Sequence, residues 1–360
     1  MLTSLELLEK LCNTVGVSGY ENETRELIRG IVTPFVDEVY TDPLGNLVAV
    51  RHAHDIGERH QFHPTLMLDA HMDEIGMVVS HVEPEGFLRF ALIGGWDERV
   101  LPAQAVTLLT RDGARLRGVI GTAPPHIQKD EERRKPYGAD ALFIDVGARG
   151  RDEVAAMGIR VGDCAVPDRP FEHLTADTVM GRALDDRAGC TVLIRVLQAI
   201  ADEPRLPVNV AAAFTTFEEI GARGAHVAAH TIKPAMALVL EGTVAGDCPG
   251  VPASRCPSRQ GAGPAITIMD RHTHCSPVIV RFLEELADRE GIPWQHKTPI
   301  FGGSDAARIH ISRAGVPTGI VSVPCRYIHS ACSTLRLDDL ERTVELATAF
   351  TRECRAMVNR

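Results

Sequence analysis

VMGRALDDRAGC (residues 179–190) and, after a stretch of helical character, FTTFEEIGARGA (214–225) organise the reading of this chain. Each segment carries an adjacent acidic pair, Asp185-Asp186 and Glu218-Glu219, at the end of an apolar run and followed closely by Gly. Carboxylates on solvated faces rarely sit that way. Around the two pairs, Ala188 to Ala201 reads as a helix, Val208 to Thr215 as a strand, Gly221 to Ala229 as a helix and Met236 to Leu240 as a strand ending at Glu241. Further strands at Ala265 to Met269 and Gly315 to Val321, with helices near Val278 to Arg289 and Leu337 to Arg355, continue the alternation. Strand and helix alternating in this way predict a parallel sheet flanked by helices.

Upstream, TLMLDAH (65–71) is a compact apolar run of the kind a doubly covered parallel strand requires, and it ends in His71-Met72-Asp73-Glu74. Functional groups gather at the carboxyl edge of such sheets. Period-two alternation lets His71 and Asp73 face the same way, so that the Asp73 carboxylate can hold one imidazole nitrogen while the other binds a metal. Leu5, Leu8 and Leu11 mark a first helix, and Ser18-Gly19-Tyr20-Glu21 is a capping-box candidate for a second. Val36 to Tyr40 and Asn46 to Arg51 read as short strands joined by a turn. From Ile75 to Val166 the texture changes to short β-like runs separated by Gly, Pro and charged turns, with a polar loop or short helix at Gln128 to Pro136. This region is expected to be an all-β insertion (75–166) in a discontinuous α/β domain (1–74 and 167–360).

The formal charge of -10 and pI near 5.8 argue against nucleic-acid binding, which needs clustered Lys and Arg. No run approaches the roughly 18 apolar residues of a membrane span, and the amino terminus lacks a basic-then-apolar leader. Nine cysteines without CxxC spacing suit reduced thiols, so a cytoplasmic setting is expected. No HExxH, GxSxG, Walker loop or strand-linked GxGxxG occurs.

Collecting the polar residues at strand ends and in Gly-flanked turns gives His71, Asp185, Glu219, Glu241 and His329, the last in YIHS (327–330). Two imidazoles and three carboxylates suit zinc, cobalt or manganese better than the all-oxygen shells of calcium or magnesium. Five side chains exceed the needs of one catalytic zinc but match two ions sharing a bridging carboxylate, about 3.5–4 Å apart. Glu218, beside Glu219, is free to act as a general base, and a partly buried cleft floor would raise its pKa toward working pH.

HMDEIG (71–76), GRALDDRAGC (181–190), TFEEIGARGA (216–225), GGSDAARI (302–309) and YIHS (327–330) occur here in the order and approximate spacing of one family. The chain resembles the tetrahedral aminopeptidases, dinuclear metallopeptidases that include glutamyl and deblocking aminopeptidases. The match extends over essentially the whole chain, GVSGYE (16–21) and the inserted β region included. The resemblance implies a zinc-exopeptidase-like fold with a mixed, largely parallel sheet. It implies that Asp185 bridges two divalent metals, His71 and Glu241 completing one and Glu219 and His329 the other. Asp73 would orient His71, and Glu218 would activate a bridging water and protonate the leaving amine. Glu241 stands where many members carry Asp. Members act on peptides with a free amino terminus and commonly assemble, through the insertion, from dimers into a hollow dodecamer.

Two other functions fit the same residues: a dinuclear amidohydrolase or deacylase, and a catalytically silent assembly protein of the same fold. The His-rich tract His52, His54, His60 and His63 is irregularly spaced and reads as a solvated loop. His272, His274 and Cys275 lack a fourth ligand nearby, while His226, His230 and His310 read as surface or core histidines. Asp186 and Arg187 read as a helix-start ion pair. Asp305 either caps the following helix or lines the cleft.

Overall fold

Near-continuous apolar sequence puts the strands of one sheet under helices, and a second, alternating set of strands closes on itself. The computed structural model describes residues 1–53, 63–130, 135–204 and 206–358. Strands β1 (Glu38–Thr41), β2 (Leu47–Arg51) and β3 (Thr65–His71) precede a block of six: β4 (Gly76–Val82), β5 (Leu88–Ile93), β6 (Ala105–Leu109), β7 (Arg115–Gly121), β8 (Phe143–Asp145) and β9 (Cys164–Pro167). Then come β10 (Glu172–His173), β11 (Thr178–Gly181), β12 (Asn209–Thr215), β13 (Met236–Val244), β14 (Ala265–Thr267), β15 (Gln295–Lys297), β16 (Thr318–Arg326) and β17 (Ser333–Arg336).

The main sheet has the order β1-β2-β12-β3-β13-β16-β17-β11-β10, with β14 and β15 attached beside β16. Its middle, β12-β3-β13-β16, is parallel; the strands on either flank pair antiparallel. The mixed α/β class follows from the sequence, and the parallel part is where β3, β12 and β13 are buried almost throughout. The helix Leu184–Ile200 packs across β13 and β3 and against the helices Ser4–Cys12 and Leu337–Glu353. Its Val192, Leu193, Val196, Leu197 and Ile200 are fully buried, each stabilising the fold by about 1.5–3 kcal/mol relative to exposure. The second set, β4-β5-β8-β7-β6-β9, is a closed barrel with its own core of Met77, Val79, Leu88, Val106, Leu108, Ile120 and Ile144.

Several elements depart from the sequence reading, each for a physical reason. Glu241 does not end its strand: β13 runs on to Val244, because β16 continues alongside it as far as Arg326 and keeps its hydrogen-bonding edge occupied. β16 itself runs past the expected end at Val321, with Pro324 inside it. Ser18 does not cap the second helix, Asn22–Val32, whose cap is Glu21 without a side-chain bond; the capping box belongs to the first helix, between Thr3 and Glu6. The short strands β9, β10, β11, β15 and β17 carry too few residues to show a period. His54, His60 and residues 131–134 of the polar Gln128 to Pro136 segment lie outside the described residues; His52 pairs with Glu38 at 3.0 Å.

Where the helix Leu184–Ile200 crosses β13, the approach is set by Gly189. A Cβ there would stand 2.4 Å from the Leu240 carbonyl oxygen and 2.4 Å from Asp186 Oδ2. Gly189→Ala is expected to cost about 1–3 kcal/mol in urea unfolding, since neither backbone nor buried carboxylate can yield freely. Wild-type stability in that variant would show that the helix can lift off the strand.

Candidate active site

The site lies at the carboxyl edge of the parallel strands. β3 delivers His71, β12 runs into the turn holding Glu218 and Glu219, β13 carries Glu241, and the loop after β16 carries His329. Asp185 opens the helix Leu184–Ile200 in an extended conformation (φ -88°, ψ 106°) and is joined to Asp186 by a cis peptide bond. Five non-glycine residues at these turns are left-handed: Ala183 (φ 56°), Phe217 (φ 58°), Ala222 (φ 55°), Tyr327 (φ 63°) and His329 (φ 60°). Such positions cost about 1–3 kcal/mol each and persist only where surrounding contacts hold them.

Asp185 stands between the two imidazoles. Its Oδ1 is 3.3 Å from His71 Nε2 and its Oδ2 is 3.5 Å from His329 Nε2. Glu241 Oε2 lies 3.7 Å from His71 Nε2, and Glu219 Oε2 lies 3.6 Å from His329 Nε2. Two groups of donor atoms result, His71/Asp185/Glu241 and Asp185/Glu219/His329, each within 4.8 Å and sharing Asp185; His71, Glu218 and Glu219 form a third. Glu241 Oε1 is buried with no hydrogen-bond partner among the described residues. Mixed imidazole and carboxylate donors, crowded and partly unsatisfied, fit a divalent metal ion.

Asp73 acts as a hub beneath them. Its carboxylate accepts from the main-chain N–H of Glu218 (2.9 Å) and Glu219 (3.1 Å) and from the Ser18 hydroxyl (2.6 Å). His71 Nδ1 has the Asp73 main-chain oxygen at 3.0 Å and its carboxylate at 3.5 Å. Thus one residue orients the imidazole and fixes the turn that presents both glutamates.

Burial is the largest influence on every carboxyl here. It pushes Glu218 and Glu241 well above the usual carboxylate range and lifts Glu219 to about 7, helped by neighbouring negative charge. Asp185 goes the other way: burial opposes its ionisation, but hydrogen bonds from His329 and His71 outweigh that and hold it well below its ordinary value. Burial likewise opposes charge on the imidazoles and is outweighed, by Asp185 and Asp73 at His71 and by Asp185 and Glu219 at His329, which rises to about 10. Without cations, protons must neutralise the cluster.

These groups floor a cavity of about 580 Å³ whose walls include Gly95, His272, Lys297, Phe301, Arg308 and Ile328. A comparison with protein families matches residues 45–346 to the M42 glutamyl aminopeptidase. The chain belongs to the M42 glutamyl aminopeptidase family. The lysyl aminopeptidase of Pyrococcus furiosus is 33% identical over 98% of both chains. Among solved structures, an aminopeptidase from the archaeon Desulfurococcus kamchatkensis is 39% identical (TM-score 0.91, covering 97% of this chain and 94% of that one). The TET1 peptidase of Pyrococcus horikoshii, described as assembling into a tetrahedron or a large octahedral shell, is 32% identical (TM-score 0.86, covering 98% and 100%). This M42 chain is therefore a hydrolase acting on peptide bonds, of the aminopeptidase kind.

Other sequence candidates fall elsewhere. Asp186 is fully buried and accepts from the N–H groups of Gly189 and His71; it makes no ion pair with Arg187, which reaches instead to Met72, Thr24 and Glu74. Asp305 holds the N-cap position of its helix but makes no side-chain cap bond, and it does not line the cavity: it is buried behind the site, bonded to the Thr215 hydroxyl, with burial raising its carboxyl to about 6. His272 lines the cavity, whereas His274 Nδ1 faces the Cys275 carbonyl and Cys275 is buried, so they form no metal group among the described residues. His226 and His230 are exposed, and His310 bonds back to Ala306 at 2.7 Å. The reading missed Ser18, Glu21, Gly95 and Lys297, whose parts depend on backbone or long-range contacts that leave no local pattern.

Glu21 supports the same turn, accepting from the N–H of Gly19 (2.8 Å) and of Phe217 (3.4 Å). Burial, despite those bonds, raises its carboxyl from 4.5 to about 7. The folded chain thus keeps this proton where the unfolded chain has lost it, so stability from this site falls as pH rises from about 4.5 to 7. Glu21→Gln should gain on wild type across that window, levelling near an advantage of about 3 kcal/mol. A pH-independent difference in denaturant midpoints would contradict this placement of the charge.

Proposed function

We propose that this protein removes amino-terminal residues from peptides with a free amino terminus, using two divalent ions per chain. One ion would be held by His71, Asp185 and Glu241, the other by Asp185, Glu219 and His329. The observation that carries this reading is Asp185, whose two carboxylate oxygens face different imidazoles. Zinc suits the donors, as do cobalt and manganese. When bound, the ions would lower the pKa of water and polarise the scissile carbonyl. Glu218, lining the cavity beside these residues with a raised pKa, takes the proton from the attacking water and passes it to the leaving amine. A deacylase shares the donor set, but the relatives compared above are aminopeptidases.

We assign the barrel region, residues 75–166, to assembly of a homo-oligomer, a dodecamer built from dimers, by likeness to the tetrahedral peptidases. Nine free cysteines suit a reducing, cytoplasmic setting. Among the described residues no helix is long and apolar enough to cross a membrane. Lys297, Arg308 and His272 also stand in the cavity wall, and none has an ion-pair partner among the described residues. With the floor carboxylates matched by cations, this wall favours an acidic first side chain.

Glu218→Gln should lose about 10²–10⁴-fold in kcat while metal analysis still finds two ions per chain; full activity would show the base to be another group. A panel of aminoacyl anilides with their N-acetylated counterparts decides the class, since cleavage of only the blocked compounds excludes an aminopeptidase. Within that panel glutamyl and aspartyl anilides should lead. Lys297→Ala should lower kcat/KM for them by about 10–100-fold and leave leucyl substrates nearly unchanged. An equal loss on both substrates would remove Lys297 from specificity.

A further inference from the structure

The two imidazoles are oriented by different parts of the molecule. His71 finds its Nδ1 partner two residues along, in the Asp73 main chain and carboxylate. The Nδ1 of His329 instead faces the main-chain oxygen of Gly95, at 2.7 Å, and Gly95 belongs to the barrel. An Nδ1–H donated to a carbonyl fixes the tautomer, leaving the Nε2 lone pair free for a metal. His329 needs such a tether, because it sits on a left-handed loop residue with 39% of its side chain exposed.

The loop that supplies this oxygen, Gly94-Gly95-Trp96, follows β5. Gly94 has φ +78°, and a Cβ there would stand 2.4 Å from Ile75 Cγ2 and 3.2 Å from Glu219 Oε2. A Cβ on Gly95 would stand 3.2 Å from His329 Nδ1. The loop backbone therefore lies against both His329 and Glu219, the pair on one side of Asp185. Trp96 anchors it: the indole N–H is shared between the carbonyl oxygens of Gly76 (3.1 Å) and Ile93 (3.2 Å), and the ring packs on the barrel core.

We propose that Gly94-Gly95-Trp96 is a positioning element for the His329/Glu219 half of the site, so that the barrel completes a metal site whose side-chain donors all come from outside it. This rests on the two-ion reading above. The role is asymmetric: a displaced loop misorients His329 and Glu219, while His71 keeps its Asp73 support and Glu241 its place within β13.

Two variants test it, Gly95→Val, which crowds His329, and Trp96→Phe, which keeps the aromatic bulk but removes the N–H that ties the loop down. Zinc titration against a chromophoric chelator, with zinc per chain after dialysis, reads both steps of binding. Wild type should bind two ions; each variant should keep one at wild-type affinity and bind the other about 10–100-fold more weakly. Two unchanged steps in both variants would overturn the proposal, as would equal weakening of both steps, which marks a general loss of structure. Failure of wild type itself to bind two ions would instead remove the two-ion reading on which the proposal stands.

Discussion

Buried like charge is the constraint on which the site depends. Asp185, Glu218, Glu219 and Glu241 converge at one sheet edge, the first three half-buried and Glu241 buried, with the fully buried Asp69, Asp73, Asp186 and Asp305 close behind. Among the described residues, only His71 and His329 offset them within the cluster. Ionised carboxylates cannot share so small a volume without cations or protons. The opposed shifts of Asp185 and its glutamate neighbours express that conflict. Divalent ions would resolve it while leaving Glu218 able to move a proton.

The surrounding fold keeps these groups from relaxing apart. Asp73 ties His71 to the Glu218-Glu219 turn, and Asp186 is satisfied by the main chain of Gly189 and His71. Glu74, next along, is buried against Arg182 and Arg187 and also accepts from the Gly16 N–H. Removing one member of such a buried ion cluster costs about 3–5 kcal/mol, because the remaining charge is left unpaired. Since Glu74 directly precedes the barrel, the same cluster fixes where the barrel chain departs, and with it the loop that meets His329.

Much of this was legible in the sequence. The apolar run of β3 ending at His71, and acidic pairs after apolar runs, mark a carboxyl edge because burial on both faces leaves polar residues only where the strand emerges. The extent of β13 was not legible, since its continuation depends on β16 running beside it rather than on its own residues. Nor was the role of Gly95, which acts through a carbonyl oxygen that every residue carries. Ser18 looked like a helix cap because its local spacing allows one; a contact with Asp73, distant in sequence, claimed its hydroxyl instead. Asp186 looked like half of an ion pair because Arg187 adjoins it, yet backbone N–H groups satisfied it first.

Asp185 is proposed to lie between two metal ions. This placement is tested most directly by anomalous diffraction at the zinc edge from crystals grown with zinc. The account predicts two peaks about 3.5–4 Å apart, one beside His71 and Glu241 and the other beside Glu219 and His329, with Asp185 touching both. A single peak, or peaks away from Asp185, would contradict it.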